Sequence, residues 1–135
     1  MGVFSVWGVV EWRKIFTFDK QKMFNTIAEF PAYTEIAEQY FSEDERQAII
    51  DYLAKNPESG DVIPATGGLR KLRWRKDNKG KKGGVRIIYY FHDKRIPLYL
   101  LIMYAKETKS DLTIKQQQRL ANLVKMLTAT MLEKK

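Results

Sequence analysis

Lys71, Arg73 and Arg86 lie in the stretch GGLRKLRWRKDNKGKKGGVRIIYYF (residues 67–91), which sets nine Lys or Arg against one acid, Asp77, between Arg70 and Arg86. Over Leu69–Arg75 the pattern has a period of two, so a strand sends Leu72 and Trp74 to one face and Lys71, Arg73 and Arg75 to the other. Cations fixed on a strand are aimed, and a sheet face lined with them has an anion to meet. A phosphate backbone is such an anion, gripped by counterion release without regard to sequence. Lys76, Lys79, Lys81 and Lys82 in the Gly-rich loop KDNKGKKGG extend that grip, or are simply a solvated loop. Arg70 and Arg75 are expected to add RNA contacts, and Trp74 between them offers a ring on which an unpaired base can stack.

Other chemistries are poorly served. GKKGG lacks the G-x-x-x-x-G-K-[ST] spacing of a phosphate loop, so Gly80, Gly83 and Gly84 read as turn residues. His92 is the only histidine, which excludes a histidine acid–base pair; in FHDKR it reads as a surface residue near a turn. The lack of cysteine removes disulfides, Cys-based zinc sites and thiol nucleophiles together. The carboxylates of SEDE belong to a helix start, where negative charge complements the dipole, and no metal is expected.

The elements that must position these residues follow from pattern. A chain of 135 residues with 44% hydrophobic residues suits one domain with one core. Its formal charge of +8 bears on partners rather than on fold. MFNTIAEF opens a domain from Met23 as a short strand, and residues 1–22 read as an N-terminal extension outside it. An added edge strand from VFSVWGVVEW is an equally weighted alternative. Pro31 starts one helix, and the Ser42…Glu45 capping box starts a second that buries Ile49, Ile50 and Leu53. Val85–His92 and Leu98–Tyr104 are continuous enough in apolarity to be strands buried on both faces, joined through HDKRIP. Thr113 and Gln116 cap a final helix from Ile114 to about Leu132, with Leu120, Val124, Leu127 and Met131 as its core stripe. The expected class is α+β: an N-terminal strand, a helical hairpin and a C-terminal helix packed on an antiparallel sheet. VFSVWGVV lacks a basic n-region and PLYLLIMYA is too short to span a membrane, so a soluble, cytoplasmic chain is expected.

The ordered blocks TGGLRKLRW, GKKGGVRIIYYF and LYLLIMYAKETKSDLT, followed by a helix, resemble the RelE superfamily of bacterial toxins, most closely its HigB-type branch. The resemblance spans about residues 23 to 130. It implies the toxin of a type II toxin–antitoxin system, a metal-independent, cofactor-free mRNA endoribonuclease acting on the ribosome. It also implies a small HigA-like, helix-turn-helix antitoxin as partner. In such enzymes the ribose 2′-OH attacks the adjacent phosphate. Carried over by position, Lys71, crowded by like charge, matches the base, and Arg73 a phosphate or leaving-group partner. Arg86 matches the transition-state cation, and Lys106 the basic residue after the last strand. Relatives often have Arg where this chain has Glu107, and Tyr where it has Leu112 and Thr113; Tyr104, Glu107 or Thr113 is left to supply the missing group. Two other functions share such a scaffold: a non-enzymatic gyrase poison like the ParE branch, and a plain nucleic-acid-binding module.

Overall fold

The computed structural model describes residues 11–13, 26–75, 84–105 and 111–133. Its strands are β1 (Glu11–Arg13), β2 (Ile27–Glu29), β3 (Asp61–Val62), β4 (Leu69–Trp74), β5 (Val85–Tyr90) and β6 (Leu98–Ala105). Its helices are α1 (Pro31–Tyr40), α2 (Glu43–Lys55) and α3 (Ile114–Glu133). The fold is α+β, with the strands in one sheet ordered β1-β2-β6-β5-β4-β3.

That sheet is mixed, which corrects the antiparallel expectation. Strands β3 to β6 form an antiparallel meander, but β2 lies parallel to β6, Ile27 opposite Leu98. Parallel neighbours require a long connection rather than a hairpin. Here the chain between β2 and β6 runs through α1, α2 and the rest of the meander. Strand β3, two residues long, carries too little pattern to be read from sequence. At the other edge, β1 pairs antiparallel with β2, Glu11 opposite Glu29. It stands where the edge-strand alternative for VFSVWGVVEW puts a strand, although residues 3–10 of that stretch lie outside the described residues.

Local chemistry sets the helix ends. Pro31 occupies the first turn of α1, where no N–H is needed. The Ser42 hydroxyl accepts from the Glu45 N–H at 3.2 Å. At α3 the capping box is reciprocal: Thr113 N–H donates to Gln116 Oε1 at 2.9 Å, and Gln116 N–H to Thr113 Oγ1 at 3.1 Å.

The helices occupy opposite faces of the sheet. On one, Tyr33, Ala37, Ile49, Ile50 and Leu53 of the hairpin α1–α2 meet Val85, Ile87, Tyr89, Leu98 and Leu100. On the other, Leu120, Leu123, Val124 and Leu127 of α3 cover Leu69, Ile88, Tyr99 and Leu101. The expected α3 stripe is core at Leu120, Val124 and Leu127, while Met131 is half-buried. Covered on both sides, β5 and β6 read as continuous apolar runs because neither face is free for polar residues. Each fully buried Ile or Leu contributes about 2 kcal/mol, so the central strands form a stiff platform. Among the described residues, no helix is long and apolar enough to cross a membrane.

Candidate active site

Strand register decides which cations meet. Leu69 packs under α3, so alternation places Lys71 and Arg73 on that same face, while Leu72 and Trp74 pack toward the hairpin. On β5, Val85, Ile87 and Tyr89 go to the hairpin side and Arg86 and Ile88 to the α3 side. Arg73 lies opposite Arg86, and Arg86 opposite Tyr104. Three polar side chains therefore form one row across β4, β5 and β6. Neighbouring strands are about 4.8 Å apart, so the row spans about 10 Å of backbone. Lys71 stands two residues from Arg73 on the same face. The Lys71–Arg73–Arg86 grouping expected from sequence is thus brought together.

The start of α3 adds an anion to this group. Asp111, two residues before the capping Thr113, accepts from the Tyr104 hydroxyl at 2.8 Å and from Lys71 Nζ at 3.3 Å, both through Oδ1. The sequence surrounds Lys71 with like charge; its side chain instead meets a carboxylate. At 36% and 55% side-chain exposure, this ion pair adds little to stability, and its consequence is placement.

Tyr104 is 5% exposed. Burial drives its phenol pKa well up, and the bond to Asp111 and that carboxylate's charge push it further, against an opposing effect of Arg86. The phenol is therefore held protonated, as a hydrogen-bond donor. Beside it, the Nη1 atom of Arg86 is buried and has no hydrogen-bond acceptor among the described residues. A guanidinium nitrogen in that condition has donor capacity that an anion can take up. Gly84 shapes the approach: at φ +64° it lies against β4, and a Cβ there would collide with the Trp74 carbonyl.

Two expected RNA contacts have other work. Arg70 projects to the opposite face, where its Nη1 donates to the carbonyls of Glu58 at 3.1 Å and Gly60 at 2.8 Å. It ties the segment after α2 to β4. The Trp74 ring also lies on the hairpin side, edge-on to Tyr52 at 5.6 Å between centroids. The sheet separates both from the Arg73–Arg86–Tyr104 row, because they alternate out of phase with Lys71 and Arg73. Arg75 follows the last residue of β4 and is exposed. Lys76, Lys79, Lys81, Lys82, Lys106 and Glu107 lie outside the described residues.

His92 lies six residues on from Arg86, two past the end of β5, about 20 Å away at strand rise. It is half-buried near the β5–β6 turn, stacked on Tyr90 and close to Asp93 and Arg95. Among the described residues, no three His, Asp or Glu side chains gather as a metal site.

Asp111 escaped the sequence reading. Its signal is faint: an acid in the mixed-charge stretch KETKSDLT, just ahead of a capping box that carries it back to the basic strand. The sequence leaves Tyr104 as one of three possible substitutes, because its apolar strand hides which way it points. No protein-family model matches the chain.

Proposed function

We propose that this protein is a metal-independent endoribonuclease that cuts mRNA on the ribosome, the toxin of a RelE-like, HigB-type toxin–antitoxin pair restrained by a helix-turn-helix antitoxin. The observation that carries the reading is the cross-strand row Arg73–Arg86–Tyr104 with Lys71 beside it. Two permanent cations and a protonated phenol on one rigid face suit a phosphodiester in the act of cleavage better than a phosphate merely held.

In the reaction the ribose 2′-oxygen attacks phosphorus. The O2′–P bond forms, the P–O5′ bond breaks, and the products are a 2′,3′-cyclic phosphate and a 5′-hydroxyl. Arg73 and Arg86 donate to the non-bridging oxygens, whose negative charge grows in the transition state; a donor of this kind is worth about 10²–10³ in rate. Lys71 is the group the resemblance assigns to take the proton from the 2′-hydroxyl. Tyr104, a phenol that burial keeps protonated, gives its proton to the departing O5′, whose alkoxide is the stronger base. Lys106 rests on the resemblance alone and adds a further cation.

Primer extension on mRNA from translating ribosomes tests this. Wild-type protein creates new 5′ ends, and Arg73→Ala and Arg86→Ala abolish them while remaining folded. Intact mRNA with wild-type protein refutes cleavage; gyrase trapped on DNA would then identify a poison instead.

A further inference from the structure

Asp111 is unusual in this site because one oxygen serves two elements. Its Oδ1 takes the Tyr104 hydroxyl from β6 and the Lys71 ammonium from β4. Asp111 is itself held from behind. Leu112 is buried in the core under α3, and Thr113 closes the capping box with Gln116. The carboxylate is therefore fixed by the start of α3 and reaches across two strands of the sheet.

We propose that Asp111 is the positioning residue of the site, setting the Tyr104 phenol and the Lys71 nitrogen at a fixed separation over the phosphate held by Arg73 and Arg86. This rests on the nuclease reading and deepens it, since both groups assigned to move protons are oriented through one side chain. The geometry alone argues for such a role. A half-exposed carboxylate has water as an alternative partner, yet here it is engaged by a phenol that is almost completely buried. Among the described residues, the charged groups facing that phenol are Lys71 and Arg73 on β4, Arg86 on β5 and Asp111 ahead of α3. Of these four, Asp111 is the anion, and it accepts from the hydroxyl. Burial first, and then the hydrogen bond to Asp111 and its charge, keep the proton on Tyr104 until a leaving oxygen accepts it.

The role differs from a purely structural one in what it moves. Loss of Asp111 leaves the phosphate cations in place, so substrate affinity is retained while turnover falls. Misplacing a reacting group by about 1 Å costs on the order of 100-fold. The test uses full-length Asp111→Asn, Asp111→Ala and Asp111→Glu proteins, with Tyr104→Phe to assign its resonance. Ribosome-dependent cleavage is measured at varied ribosome concentration, and the ¹³Cζ shift of Tyr104 is recorded on the isolated protein. The expected result is a kcat lower by about 100-fold in Asp111→Ala with KM within about 3-fold. Asp111→Glu recovers part of kcat, and the Tyr104 resonance moves in Asp111→Asn. With a wild type that cleaves, an unchanged kcat in Asp111→Ala or an unmoved Tyr104 resonance overturns the role of Asp111 alone. A wild type that cuts nothing overturns the nuclease reading, and this role falls with it.

Discussion

The two faces of the sheet hold similar side chains and use them differently. On the hairpin face, Arg70 is bonded to backbone carbonyls, and the Tyr89 hydroxyl accepts from Gly60 N–H and donates to the Pro57 carbonyl, both at 2.8 Å. The carboxylate of Glu29, fully buried, meets Arg46 of α2 at 3.5 Å. These groups fasten loops and helices to strands. On the α3 face, Arg73, Arg86, Lys71 and Tyr104 converge where α3 begins, and Arg86 Nη1 is left without an acceptor among the described residues. Buried donors without an acceptor among the described residues occur on both faces, Arg46 Nε as well as Arg86 Nη1; what sets the α3 face apart is that its cations and phenol converge on one spot.

The comparison breaks most sharply at Arg86. Arg86→Ala should lower mRNA cleavage by about 10²–10³-fold with little change in melting temperature; an equal loss of stability would move Arg86 into the structural group. Arg46→Ala should do the reverse. Removing one partner of a buried carboxylate costs about 3 kcal/mol, read by urea unfolding, and cleavage per folded molecule should persist.

Arg70→Ala sharpens the contrast within one strand, since Arg70 and Arg73 are the same residue type three positions apart. A loss of about 1 kcal/mol is expected from its hydrogen bonds, with the salt dependence of RNA binding unchanged. A shallower salt slope would return Arg70 to the RNA-contacting set.

The smallest effect belongs to Asp93. Hydrogen bonds from Arg95 lower its pKa from 3.8 to about 2. A carboxyl depressed on folding contributes stability above its unfolded pKa and loses it as pH falls through the folded one. Asp93→Asn should therefore flatten the acid limb of the stability curve slightly between about pH 4 and pH 2, and leave cleavage at neutral pH untouched.

Sequence pattern carried much of this and failed for identifiable reasons. Alternation in LRKLRW assigned Lys71 and Arg73 to one face and Leu72 and Trp74 to the other, because β4 is covered unevenly and its period survives. The same alternation puts Arg70, like Trp74, out of phase with those cations, although charge and aromaticity alone suggest RNA contacts. In LYLLIMYA no phase is visible, since β6 is buried on both sides and slips register against β5 between Ile88 and Tyr89. The direction of Tyr104 was hidden for that reason. Asp111 depends on a contact 40 residues away in sequence, which no local pattern encodes. The parallel β2–β6 pairing is likewise a property of the whole topology.

A double-mutant cycle on Arg73 and Arg86, read as single-turnover mRNA cleavage on ribosomes, tests the central claim that both act on one phosphate. Shared action predicts strong coupling, so that Arg73→Ala with Arg86→Ala is hardly slower than the worse single variant. Losses that simply multiply, with no coupling between the two arginines, would contradict it.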